Sequence, residues 1–238
     1  MRRLPRHFFT AAILLGAGLI AASGCADNKT ALFVRGVIAI QSPSCEAKAD
    51  PSATMLGGGV MDVALTNEYW AALLVGNQLT ERGSRDQVRT ETDRVSLTGA
   101  VVDVQNSSGG TLSGGSYTTD ATGFVDPASG STPSYGVVFV RLVPSSVSVS
   151  PGQQLTVKVH VFGKTLGGRY IESGDLSYPI SVCSGCLVSF PSDAYDPANP
   201  SAGCTGDPGS AAEPCYPGQD QPIDCRLCTQ NPSCVPPG

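Results

Sequence analysis

The chain has 238 residues, with 15 Lys and Arg against 20 Asp and Glu and a formal charge of −5. That balance excludes nucleic-acid binding, which rests on cations that displace the counterions of phosphates. Aromatics are only 6 % while Gly, Ser, Thr and Val are abundant, a composition suited to short strands and turns rather than long helices.

Residues 1–24 have the layout of a targeting signal. Arg2, Arg3 and Arg6 precede an apolar run from Phe8 to about Ala22. The run is shorter than the roughly 20 apolar residues of a membrane span. It ends in Leu19-Ile20-Ala21-Ala22-Ser23-Gly24-Cys25. Small residues just before a cysteine resemble the lipobox of bacterial lipoproteins. The resemblance implies cleavage before Cys25, a diacylglycerol on its sulfur and a third acyl chain on the new amino group. Each buried methylene adds about 0.8 kcal/mol, so two or three chains anchor stably where one does not. The membrane is therefore an expected partner, reached through a lipid and not a span. Ala26 stands where an inner-membrane retention signal places Asp, which points to the outer membrane, periplasmic or surface-facing. An ordinary secretory signal is the competing reading. Removal of Arg2, Arg3 and Arg6 leaves twelve bases against twenty acids.

Residues 25–30 read as a lipidated tether, residues 31–182 as a β-sandwich domain and residues 183–238 as a cysteine-rich tail. The first strand spans Leu32 to Ile40. Cys45 follows in a loop among Pro43, Pro51 and Gly57-Gly58-Gly59. Val60 to Leu65 alternates weakly. Tyr69 to Val75 is apolar throughout, and its length does not separate a buried strand from a helical turn. Trp70 is expected in the core or at its rim. Glu81 to Arg94 carries four charges of each sign, as a solvated face does. Val95 to Val104 alternates, with a slip near Val101-Val102 that predicts a bulge. Asn106 to Gly115 reads as a Gly/Ser turn, and Thr119 to Val125 as a tight turn around Asp120 and Gly123. Tyr135 to Leu142 is a strong strand closed by Pro144. Leu155, Val157, Val159 and Val161 then alternate with Thr156, Lys158, His160 and Phe162. Tyr170-Ile171 and Leu176 to Val182 complete seven to nine short strands. The expectation is an all-β, immunoglobulin-like β-sandwich followed by a disulfide-rich irregular C-terminal tail.

Composition changes at Cys183-Ser184-Gly185-Cys186. With Cys25 assigned to the lipid, Cys45, Cys183, Cys186, Cys204, Cys215, Cys225, Cys228 and Cys234 remain. An even set in an oxidising compartment reads as four disulfides, and the sequence does not choose among the 105 pairings. Cys45 is the odd member outside the tail, so a Cys45 bond stapling tail to sandwich is expected. After Cys186, Arg226 is the only base against Asp193, Asp196, Asp207, Glu213, Asp220 and Asp224. Such a segment buries little apolar surface, and cross-links must stand in for a core.

Cys183-x-x-Cys186 with Cys225-x-x-Cys228 is an alternative zinc set, but the 38 residues between the pairs exceed the usual 15–20. A thiol-exchange pair is a further alternative, weakened because Leu187 to Pro191 do not open a helix. Neither pair is followed by the His that covalent haem requires. No cofactor or metal is implied. His160 is the only histidine after cleavage and falls on the polar side of its strand. Asp120 with Asp126 lacks the EF-hand spacing for calcium. Glu68 and Glu172 are candidates for a glycosidase pair only because carboxylates are plentiful. No nucleophile elbow, metalloprotease motif or phosphate loop occurs.

The lipobox, with the layout of a sandwich before a Cys-x-Gly-Cys junction, resembles the uncharacterised cell-envelope lipoproteins of Gram-negative bacteria. The resemblance implies an anchored structural or binding protein, with an envelope protein or polysaccharide as partner, and carries no activity. An envelope carbohydrate hydrolase, or a metal or redox role for the tail, is the alternative.

Overall fold

The computed structural model describes residues 31–84, 89–196, 198–199, 202–209 and 213–235. Among the described residues there are twelve strands: β1 (Leu32–Ile38), β2 (Met55–Leu56), β3 (Gly59–Asp62), β4 (Tyr69–Asn77), β5 (Val95–Asn106), β6 (Thr111–Val125), β7 (Ser134–Val143), β8 (Gln154–Thr165), β9 (Tyr170–Glu172), β10 (Leu176–Cys183), β11 (Val188–Ser189) and β12 (Ile223–Asp224). Helix is confined to short 3-10 turns at Cys225–Leu227 and Pro232–Cys234 among the described residues. No helix among them is long and apolar enough to cross a membrane.

One sheet runs β2-β1-β4-β7; the other runs β3-β10-β8-β5-β6, with β9 paired to the end of β8. All pairings within these two sheets are antiparallel except β3 with β10. The period-two pattern explains the packing. Leu155, Val157, Val159 and Val161 of β8 point inward to meet Leu73, Val138, Val140 and Leu142 in one continuous core. Each such side chain gains about 1.5–3 kcal/mol from burial. The all-β class with its irregular, cross-linked tail is as the sequence predicts.

Tyr69–Val75 is a strand, and its unbroken apolarity has a cause. Leu73 and Val75 face the core, while Ala72 and Leu74 form a second buried cluster with Ile38, packed against Ala47, Ala53 and Met55. The β1–β2 connection roofs the outer side of β4, so both faces are dry. One turn expectation fails and another is shortened. Thr119 to Val125 lies inside β6, with Asp120 opposite Gly99 and Gly123 opposite Leu97. The turn between β5 and β6 is confined to residues 107–110, closed by Asn106, whose side chain accepts from the Ser108 and Gly110 N–H groups. The bulges of β5 fall between Leu97 and Gly99 and between Asp103 and Gln105, on either side of the expected slip at Val101-Val102. A bulge resets the face on which side chains fall, and a turn-like composition inside a long strand disguised it.

The strand directions give the sandwich two ends. Ala31, Asn77, Val95, Val125 and Thr165 lie at one. Ile38, Tyr69, Val143, Gln154 and Cys183 lie at the other, where the tail docks.

Candidate functional site

The tail docks over an open side of the sandwich. β3 is an edge strand and would present unpaired N–H and C=O groups. Residues 218–220 cover it: Asp62 N–H donates to Gly218 O at 2.9 Å, and Asp220 N–H donates to Val60 O at 3.1 Å. In the other sheet, β1 stops pairing with β4 at Ile38–Ala72, which leaves the Trp70 backbone exposed on that side. The Gln219 amide takes over, with Trp70 N–H donating to Oε1 at 2.9 Å and Nε2 donating to Trp70 O at 3.0 Å. One short tail segment thus continues both sheets, β3 through the backbone of Gly218 and Asp220 and β4 through the Gln219 side chain.

Asp220 sits beside it in the left-handed region at φ 57°, which Asp and Asn tolerate better than most residues. Its Oδ1 accepts from Val60 N–H at 2.8 Å, and its Oδ2 accepts from the Tyr69 hydroxyl at 2.7 Å. The Tyr178 hydroxyl lies 3.1 Å from that of Tyr69. Tyr69 has a single proton and gives it to the carboxylate, so Tyr178 is the donor to Tyr69. The chain Tyr178–Tyr69–Asp220 links both sheets to the tail. Gly59 makes room for it, because a Cβ there would lie 2.2 Å from the Tyr69 hydroxyl oxygen.

Burial dominates the electrostatics of this chain. It raises the Asp220 carboxyl above its ordinary range, against the Val60 N–H and Tyr69 hydroxyl that favour the charged form. Burial also pushes Tyr178 up to about 12. Tyr69 is driven higher still, by burial first and then by the Asp220 charge, so it stays protonated. Both tyrosine hydroxyls therefore stay protonated and serve as hydrogen-bond donors.

A groove of about 100 Å³ opens beside this seam, lined by Ile38, Ile40, Leu56, Trp70, Tyr216 and Gln221 among others. It is far smaller than the 300–1,000 Å³ of typical small-molecule sites. Cys45–Cys215 closes its rim across 170 residues of sequence. Gln221 Nε2 donates to Ile40 O at 2.7 Å, and Ser42 Oγ donates to Glu213 O at 2.7 Å, so both walls are fixed. Trp70 stands half-buried at the rim, as expected, with the Arg141 guanidinium 5.6 Å from its ring centre. Glu68 accepts from Trp70 Nε1 and from Arg141 Nη1.

The cysteines pair as Cys45–Cys215, Cys183–Cys186, Cys204–Cys225 and Cys228–Cys234. The expected staple from Cys45 is present. Cys225 and Cys228 bond to Cys204 and Cys234, so the two Cys-x-x-Cys pairs do not converge on one centre. Among the described residues, Asp62, Cys183 and Cys186 bring three potential ligand atoms within 4.8 Å of one another. The two sulfurs are bonded to each other, however, and the buried Asp62 carboxylate accepts N–H groups from Ala64, Gly185 and Leu187. Asp62 is the anchor of the Cys183–Cys186 loop. The tail's own small core is Ala194, Cys225 and Cys234. Asp224 caps the Cys225–Leu227 turn and holds Arg226, which also reaches Asp193 at 2.9 Å.

The other residues named from the sequence stay apart. His160 is on the outer face of β8, with Nδ1 2.9 Å from Asp175 Oδ1. Glu68 precedes β4 at the tail end and Glu172 lies in β9 at the opposite end, so they do not form a carboxylate pair. Asp126 pairs with Arg94 at 2.8 Å, while Asp120 lies within β6. Cys25 lies outside the described residues. The charged segment is tied down by Glu91, whose carboxylate accepts from the Arg82, Gly83 and Asp93 N–H groups. Sequence reading missed the seam because its hydrogen-bonded residues stand 109 to 160 positions apart and form no local motif. The one signal was a tyrosine opening an apolar run.

No protein-family model matches the chain, and none of the curated proteins is significantly similar to it.

Proposed function

We propose that the protein is a lipid-anchored lipoprotein of a Gram-negative cell envelope, outer-membrane in location, with a binding or structural role and no catalytic one. Its rigid capped end receives an envelope protein or polysaccharide. The seam carries this reading: every ionisable group placed there is spent on holding the tail to the sandwich, and the groove beside it has fixed walls. Four disulfides suit an oxidising compartment. The lipobox at Cys25 and the following Ala26 support the anchor and the outer membrane.

The reading makes Cys25 the modified N-terminus. The mass of the N-terminal peptide from the exported protein should equal that of a peptide starting at Cys25 plus two or three acyl chains. Cross-linking in whole cells should join one envelope component to residues at the groove, and Trp70→Ala should reduce that adduct. An unmodified Cys25, or hydrolysis of a cell-wall or polysaccharide substrate by the purified protein, would contradict the proposal.

A further inference from the structure

The end of the sandwich opposite the tail gathers the features of a membrane-facing surface. Its parts are joined by hydrogen bonds. Ala31 O accepts from Gln78 N–H at 2.7 Å. Asn77 Nδ2 donates to Asp93 O at 3.0 Å and to Val125 O at 3.3 Å. Leu166 N–H donates to Arg94 O at 2.9 Å. The start of β1, the start of β5, the end of β6 and the β8–β9 hairpin therefore share one end.

Three large apolar side chains are exposed there: Phe124 at 59 %, Leu166 at 54 % and Tyr170 at 55 %. Phe124, Ser96, Lys164 and Tyr170 form one cross-strand row over β6, β5, β8 and β9. Leu166 is at the hairpin tip beside it. Tyr170 packs against Phe162 with ring centres 6.2 Å apart, and the Arg94 guanidinium lies 5.3 Å from the Phe124 ring centre. Phe162 in turn lies close over Gly99, where a Cβ would meet its ring at 2.4 Å.

Charge separates the two ends. Arg82, Arg89, Arg94, Lys164 and Arg169 gather here and offset Glu81, Glu91, Asp93, Asp126 and Glu172. After Cys186 the tail carries Asp193, Asp196, Asp207, Glu213, Asp220 and Asp224 against Arg226, and at the same end Arg141 is paired with Glu68. An anionic headgroup layer repels the tail end and admits the other. Resting on the reading of Cys25 as the lipidated residue, only six residue steps separate the anchor from Ala31, a reach of at most about 20 Å. The described chain begins at the same end as the exposed row.

We propose that this end is a bilayer-contacting surface, with Phe124, Leu166 and Tyr170 at the level of the headgroups and Lys164 and Arg169 against lipid phosphates. Tyr170, an aromatic ring with a polar edge, suits that depth, Phe124 and Leu166 add apolar surface beside it, and cations complement the phosphates. The surface turns a loose tether into a defined orientation, with the groove of the tail end facing away from the membrane.

The test is sedimentation of the exported, lipid-free Cys25→Ser chain with vesicles. Vesicles of phosphatidylethanolamine and phosphatidylglycerol should carry it down at low salt, and phosphatidylcholine vesicles should not. The charge reversals Lys164→Glu and Arg169→Glu together should weaken binding on the order of tenfold. A Phe124→Ser, Leu166→Ser, Tyr170→Ser variant should weaken it as well. All five side chains are on the surface, and unchanged strand circular dichroism confirms the fold of each variant. No sedimentation with anionic vesicles, or sedimentation indifferent to both variants, overturns the proposal. The mass of the N-terminal peptide separates the two readings. Binding by the Cys25→Ser chain with an unlipidated natural Cys25 removes the anchor and keeps the surface. A lipidated Cys25 with no binding by the Cys25→Ser chain does the reverse.

Discussion

The sandwich buries Leu73, Val102, Val140, Val159 and Ile180, each from a strand whose neighbouring residues face the other way. The tail buries Ala194, Cys225 and Cys234, so two of its three central residues are halves of disulfides. The same ordering entropy is offset in two ways: in one region by apolar area, in the other by bonds that restrict the unfolded chain. The seam between them adds polar contacts to one such bond, Cys45–Cys215. It relies on the backbone of residues 218–220, the Gln219 amide and one half-buried carboxylate, Asp220. A region with almost no core can be as fixed as a region with a large one, provided its polar groups complete edges that the larger region leaves open.

That contrast can be broken at five places. The largest effect is expected from Cys45→Ser with Cys215→Ser. The bond spans 170 residues, and chain entropy alone assigns it about 5 kcal/mol. Limited proteolysis should then remove the tail while circular dichroism retains the strands. Next is Leu73→Ala, which opens a cavity in the shared core and should cost about 3–4 kcal/mol in urea unfolding, lowering both regions together. Gly59→Ala drives a methyl group into Tyr69 and should cost about 1–3 kcal/mol, with increased protease access at 215–221. Cys183→Ser with Cys186→Ser opens a loop of only four residues and should cost about 2 kcal/mol or less. Asp62 still holds the Gly185 and Leu187 N–H groups in that variant.

The smallest effect is a change of pH dependence. Asp220 titrates above its unfolded value because it is buried. Its contribution is therefore fully present below the unfolded carboxylate range and is lost as pH rises through the raised value. Asp224 behaves oppositely, its carboxyl lowered first by the Arg226 side-chain hydrogen bond. Its stabilisation is present above the unfolded value and is lost as pH falls through the lowered one. Asp220→Asn keeps an acceptor for Val60 N–H and a residue that tolerates positive φ. Unfolding midpoints measured from acid to neutral pH should lose only the upper arm of the profile, with a change below about 1 kcal/mol at neutral pH.

Much of the sandwich was legible because strand alternation needs only neighbouring residues. Leu155 to Val161 reads as a half-buried strand without any knowledge of its partners. Thr119 to Val125 misled because Asp and Gly favour turns locally, while pairing with β5 kept the segment extended; long-range ladders override local preference. The staple from Cys45 followed from parity, since one cysteine lay outside the tail, but the choice of Cys215 needed three dimensions. Asp62 and Gln219 were invisible because their roles are bonds to backbone groups more than a hundred residues away. A glutamine completing a strand leaves no pattern in its own neighbourhood.

The most direct test of the stapled seam is a non-reducing peptide map of the protein after thiol alkylation. The structure predicts no alkylated cysteine, a Cys45–Cys215 linked peptide pair, and Cys204–Cys225 and Cys228–Cys234 pairs within the tail. Alkylated Cys45 or Cys215, or a tail linked only within itself, would contradict the account and leave the tail an independent, mobile element.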